Sequence, residues 1–212
     1  MSRLRYNRRE AVAHLRRACP EMDRLVAACG SFTLRVSRDG DLFQALSSAI
    51  IYQQLSGKAA ATIHGRFCTL FDEGRPDAAQ VAGISTDALR GAGLSRNKIL
   101  AVRDLAEKVK DRSLPSPRRM AALDDNEVTE RLCRVRGIGP WTAQMYLIFN
   151  LGRPDVMPAS DLGIQKGVQY VYQMPGLPEP NDVNDITRHL APFRSAASWY
   201  FWLAADTGLI AR

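Results

Sequence analysis

The chain has 212 residues, of which 46% are hydrophobic and 24% charged. These are ordinary figures for a folded chain, and they set aside disordered, collagen-like and low-complexity classes. Lys and Arg outnumber Asp and Glu by 29 to 22, a net charge of +7. That is the electrostatic footprint of a polyanion binder, although a solvated basic surface gives the same figure.

No apolar run approaches the roughly 20 residues that cross a bilayer. The basic start, Met1 to Arg9, is not followed by the apolar stretch and small-residue cleavage site of a secretory signal. A cytoplasmic, nucleoid-associated protein is expected, or a nuclear one in a eukaryotic cell. Cys19, Cys29, Cys68 and Cys133 are irregularly spaced and form no C-x-x-C pair. This argues against zinc and against a four-cysteine iron–sulfur cluster, and buried, reduced thiols are the expectation.

The pattern is helical almost throughout. An amphipathic Arg-rich stretch, Tyr6 to Cys19, stops at Pro20, and a second helix covers Met22 to Cys29. Phe32 to Val36 alternates and reads as a short strand or an extended arm, and a lone strand makes no sheet. From Asp41, Leu42, Leu46, Ala49, Ile50 and Gln53 share one face; Ser56-Gly57 then breaks the chain before a helix from Ala59 to Phe71. Short helices are expected at Asp77–Ala82 and Ser85–Ala92, and Ser95 caps a long one. Pro115 and Pro117 mark a loop. Asp124 with Glu127 opens the next helix, to about Val135. Pro140 begins another, running to Asn150. After a loop with Pro154 and Pro158, helices are predicted over Leu162–Gln173, Asn184–Leu190 and Arg194–Thr207. The expected fold is all-α: two helical lobes with a cleft between them. Residues 1–40 form a helical extension that packs on the other lobe, and 41–212 form the core, with a helical hairpin at about 124–150.

The most specific segment joins two helices through Arg136-Gly137-Ile138-Gly139. Its glycines permit unusual φ and close backbone approach, and it lies at a helix N-terminus, where N–H groups attract anions. A DNA phosphate suits it, and a plain αα-corner reads the same way. It is no dinucleotide fingerprint, because Thr142 stands where the third glycine belongs and no strand precedes it. Ser56-Gly57-Lys58-Ala59 likewise lacks the upstream glycine and following Ser/Thr of a P-loop.

With these segments together, the chain resembles the helix-hairpin-helix/GPD superfamily of base-excision DNA glycosylases. Within it, the chain is similar to the 3-methyladenine DNA glycosylase II (AlkA-type) family in its compact form, without an N-terminal β domain. The resemblance rests on Ile51-Tyr52-Gln53-Gln54-Leu55-Ser56, Gly93 to Lys98, Arg136 to Ala143, Val156 to Asp161 and Pro192-Phe193-Arg194-Ser195, in the family's order. It implies a cleft that binds double-stranded DNA. It also implies a monomeric, monofunctional N-glycosyl hydrolase that flips out alkylated purines such as 3-methyladenine and 7-methylguanine and leaves an abasic site. The alternative is a non-catalytic helix-hairpin-helix DNA-binding protein.

The resemblance assigns Asp161 as the catalytic carboxylate; by itself Ser160-Asp161 reads as a helix N-cap. Trp141 stands where bifunctional relatives carry a nucleophilic lysine, so no lyase activity is implied. Trp141 and Trp202 match the family's pocket aromatics, with Tyr146 and Tyr52 as further candidates for holding a cationic base. Trp199 and Phe201 are expected in the core. Gln54 or Leu55 would fill the gap left by the flipped nucleotide, within a DNA-binding set of Gln53, Gln54, Leu55, Ser56, Lys98, Arg136, Gly137, Ile138, Gly139 and Thr142, with Arg96 beside it. Main-chain carbonyls of Cys133, Val135 and Gly137 are the implied ligands of a Na+ or K+ ion; no cofactor is required.

Overall fold

The computed structural model describes residues 4–37 and 41–208. Among them every regular element is helical. The described residues divide into two compact units that do not follow chain order: 41–146, and 4–37 with 147–208. The first crossing follows residue 37, and the expected boundary at residue 40 lies outside the described residues. The second falls inside a helix, where composition leaves no mark.

The second unit begins with α1 (Arg8–Ala18), capped by Asn7, whose side chain accepts from the Arg9 and Glu10 N–H groups, and α2 (Pro20–Cys29). Residues 32–37 form neither helix nor paired strand. Their carbonyls turn to a side chain: Arg8 donates to Phe32 O at 3.0 Å and to Leu34 O at 2.5 Å. Phe32 itself packs on Tyr200 and Trp199.

The first unit holds α3 (Leu42–Tyr52), α4 (Gly57–Cys68), α5 (Thr86–Gly91), α6 (Arg96–Lys110), α7 (Pro117–Ala122), α8 (Asp125–Cys133) and the start of α9 (Pro140–Phe149). Most helix starts are written locally. Asp41, Ser56, Ser85, Ser95 and Ser116 each accept an N–H of the first turn, and Asp124 with Glu127 forms the expected capping box. Three expectations shift for this reason. Ser56 caps α4, so the helix begins at Gly57. Ser116 with Pro117 at the first position makes α7 out of the expected loop. Asp77 instead bonds the Ala79 N–H, a local turn that competes with helix, leaving a 3-10 turn at Val81–Gly83. The core is Phe43, Leu46, Ile50, Phe67, Leu89, Val102, Leu105 and Met120.

The second unit resumes with α10 (Leu162–Val171), α11 (Pro180–Thr187) and α12 (Arg194–Thr207). α11 starts ahead of the expected Asn184 because Pro180 takes the first position and Asp182 accepts the Glu179 N–H. α10 and α12 pack face to face. Their interface and that with α1 and α2 bury Leu15, Met22, Leu25, Ile164, Val168, Tyr200 and Phe201. The four cysteines are half-buried free thiols rather than buried ones. No helix among the described residues is long and apolar enough to cross a membrane.

Candidate active site

Two arrangements carry the expected residues, one in each unit. In the first unit, the link between α8 and α9 is a tight turn built on glycine. Gly137 has φ 78°, and a Cβ there would press on Ala101 Cβ of α6 at 3.3 Å. Its backbone conformation favours glycine, and its close seat on α6 leaves a side chain little room. Ile138 turns inward and its N–H donates to Val135 O at 3.0 Å. A Cβ built on Gly139 meets nothing within 4 Å, so the crest stays open to close approach. The Arg136 N–H donates to Asp104 Oδ2 at 2.7 Å, and Lys108 Nζ donates to Asp104 Oδ1 at 2.5 Å. Burial alone would raise the Asp104 carboxyl; its bonds with Lys108 and the Arg136 N–H outweigh that and hold it below the usual carboxylate range. The Arg136 side chain is exposed, as are those of Arg134 and Arg96.

Several residues expected at DNA have partners inside this unit. Lys98 Nζ donates to Ile51 O at 2.6 Å and Gln53 O at 3.0 Å, capping the end of α3, and desolvation lowers its pKa. Gln53 Nε2 donates to Gly137 O at 2.9 Å and Thr142 Oγ1 at 3.2 Å, and Thr142 is buried. Ser56 is exposed but caps α4. Between them Gln54, at φ 55°, and Leu55, 39% exposed, project from the turn.

The aromatics separate. Trp141, at the start of α9, is 40% exposed. Tyr52 is exposed and meets the His64 ring edge-on. Tyr146 is buried in the first unit, its hydroxyl pushed up to about 12 by burial and by Asp41, so it presents little surface to a ligand. Phe201 is fully buried, as a core residue should be, whereas Trp199 is only half-buried, packed against Phe32 and Tyr200.

In the second unit, Asp161 is the N-cap of α10, half-buried, with Oδ1 accepting the Ile164 N–H at 3.0 Å. The same oxygen accepts the Trp202 indole N–H from α12 at 2.8 Å. The Trp202 ring stacks on Phe149, with centroids 5.6 Å apart. Trp202 thus reaches the candidate carboxylate as a donor, a role that its aromatic character alone does not suggest. Gly163 makes the approach feasible: a Cβ there would lie 2.9 Å from Trp202 Cδ1 and 3.0 Å from Asp161 Oδ1. Beside the carboxylate, the apolar side chain of Leu162 is 54% exposed.

The loop that delivers Asp161 is tied to the start of α12. Arg194 makes a two-pronged pair with Asp155, at 2.7 and 2.8 Å, while its N–H adds a bond at 3.2 Å. The Ser195 N–H donates to Pro154 O, the Val156 N–H to Ser195 Oγ, and Ser198 Oγ to Val156 O. This gives the Pro192–Ser195 segment a physical meaning. Asp104, Asp155, Ser198 and Gly163 could not be singled out beforehand, because their partners lie 32 to 42 positions away.

A fixed, half-buried carboxylate can stabilise positive charge developing on a bound molecule, and an open glycine crest at a helix start can meet a phosphate.

The chain is similar to known proteins over most of its length. Residues 47–192 match the family described as HhH-GPD superfamily base excision DNA repair protein. The chain is 34% identical to DNA-3-methyladenine glycosylase 1 of Schizosaccharomyces pombe, over 91% of this chain and 86% of that one. Its structure is similar to that of the S. pombe 3-methyladenine DNA glycosylase in complex with abasic DNA, with TM-score 0.87 and 32% identity, covering 94% of this chain and 98% of that one. It is also similar to a DNA-3-methyladenine glycosidase from Bacillus halodurans, with TM-score 0.84 and 31% identity over 93% and 90% of the two chains.

Proposed function

The chain belongs to the HhH-GPD superfamily of base excision DNA repair proteins, and on that premise we propose that it is a monofunctional DNA glycosylase. It excises alkylated purines, 3-methyladenine and 7-methylguanine among them, from double-stranded DNA and leaves an abasic site. The observation that carries the reading is the Asp161 carboxylate, which lies within the matched region and is held by the Ile164 N–H and by the Trp202 indole from α12.

A base inside a duplex is out of reach, so the nucleotide must swing out. Alkylation at a ring nitrogen leaves the purine positively charged and makes it a good leaving group. The enzyme's task is then to stabilise the sugar. As the glycosidic bond breaks, the ring gains oxocarbenium character, and the anionic Asp161 opposes that charge and orients the attacking water. The cationic base favours the face of an aromatic ring, a contact of about 0.5–2 kcal/mol, which exposed Trp141 supplies. Tryptophan carries no amine, so no Schiff base forms and the DNA strand stays intact.

Gln54 or Leu55 fills the vacated position, and the glycine crest with Arg136 holds phosphate. The hairpin carbonyls of Cys133, Val135 and Gly137 are hard oxygen donors that fit an alkali cation. Val135 O and Gly137 O already accept one hydrogen bond each and keep a lone pair. They would hold Na+ or K+, which would add positive charge toward a phosphate. Hydrolysis consumes water and requires no cofactor. The reading carries with it a monomer that works where the genomic DNA is: the cytoplasm with its nucleoid, or the nucleus.

The test is release of free 3-methyladenine from methylated duplex, with Asp161→Asn beside wild type. Asn caps a helix as well as Asp does, so this change removes charge and little else. Base release should fall by at least about 100-fold, a ΔΔG‡ of about 2.7 kcal/mol, with duplex binding retained. Borohydride should trap no adduct. Intact binding with no release by wild type would instead favour a non-catalytic DNA-binding protein.

A further inference from the structure

We propose that Lys98 and Gln53 are positioning residues that lock the turn at residues 53–56 onto the glycine hairpin, so that the gap-filling side chain and the phosphate anchor act as one body. The inference rests on the glycosylase reading for its consequence, but its geometry stands within the first unit alone. The last carbonyls of a helix lack partners. At the end of α3 the Lys98 ammonium takes two of them, Ile51 O at 2.6 Å and Gln53 O at 3.0 Å. Gln53 leaves the helix at ψ 134°, and Gln54 follows at φ 55°, a left-handed conformation that costs a non-glycine residue energy. The turn is therefore sharp, and it persists only because its surroundings enforce it.

The second tie is the Gln53 side chain. A carbonyl cannot donate, so the atom facing Gly137 O at 2.9 Å is the amide nitrogen, and this orientation also gives Thr142 Oγ1 its bond at 3.2 Å. One side of α6 completes the arrangement at three-residue spacing. Lys98 holds the end of α3, Ala101 seats Gly137, and Asp104 takes the Arg136 N–H. A basic residue beside a DNA-binding hairpin invites assignment to phosphate; here its charge is spent on the protein's own backbone.

The experiment compares Lys98→Met, Lys98→Arg and Gln53→Met with wild type. Binding of undamaged duplex is followed against salt, and amide hydrogen exchange is followed at Arg136 and Ile138. A 2-aminopurine beside an abasic site reads insertion of the gap-filling side chain, and kcat and KM are measured for base release. The expected result for Lys98→Met and Gln53→Met is faster exchange at both amides, a weaker insertion signal, and kcat lowered about tenfold with KM unchanged. The salt slope should stay as in wild type, and Lys98→Arg should recover most of the loss. A slope shallower by about 0.9 in Lys98→Met, with exchange unaltered, would return Lys98 to the phosphate and overturn the proposal. Failure of wild type to release any base would overturn the glycosylase reading instead, and the exchange and salt measurements would still decide the brace.

Discussion

Gly163 sits where a Cβ would crowd both Trp202 Cδ1, at 2.9 Å, and Asp161 Oδ1, at 3.0 Å. The smallest substitution there acts on the carboxylate and on its donor together. Gly163→Ala should therefore lower kcat for base release. Trp202→Phe keeps a ring for the Phe149 stack but removes the N–H, and should cost about 1.5–3 kcal/mol, roughly 10- to 150-fold in rate, the range for a hydrogen bond to a charged group. The two changes break the same contact, so the double variant should lose far less than the sum. Strict additivity in a double-mutant cycle would show that they act separately. Sequence alone offered Trp202 as an aromatic surface and Asp161 as either cap or catalyst. The structure shows that the cap and the candidate catalytic carboxylate are the same group, with the indole holding it.

The helices α10 and α12 approach closely because Gly163 and Gly167 lie one turn apart on the facing side. A Cβ at Gly167 would run into the Phe201 carbonyl oxygen and carbon. Backbone cannot yield as a side-chain tip does, so Gly167→Ala should destabilise by about 3 kcal/mol, read as a drop in Tm. At the other end of α12, the Arg194–Asp155 pair anchors the loop before Asp161. Burial would raise the Asp155 carboxyl, but the bonds and charge of Arg194 outweigh it and hold the group below the ordinary range. A depressed carboxylate pKa contributes stability above its unfolded value of about 3.9, and that contribution is lost as pH falls through the folded value. Wild type should thus lose stability below about pH 4 more steeply than Asp155→Asn. Parallel acid-unfolding curves for the two would dismiss the pair as a contributor.

For the whole molecule, the net charge of +7 predicts duplex binding that weakens steeply with salt, because phosphate contacts release counterions. Arg136→Ala should reduce the slope of log K against log salt by about 0.9 and weaken damaged and undamaged duplex alike. Loss confined to damaged duplex would place that side chain at the lesion instead. The all-helical class, most helix starts and the glycine hairpin were legible from residue order, because caps, prolines and positive-φ glycines act within three or four neighbours. The family, too, could be read from its motifs in order. Which residues share a unit could not, since residues 4–37 cluster with 147–208 and the division falls within α9. Nor could Lys98 be separated from the exposed arginines, or Trp202 be recognised as a hydrogen-bond donor to Asp161. A side chain's type is local information, but the carbonyl or carboxylate that claims its proton is brought there by packing between segments 41 to 47 residues apart.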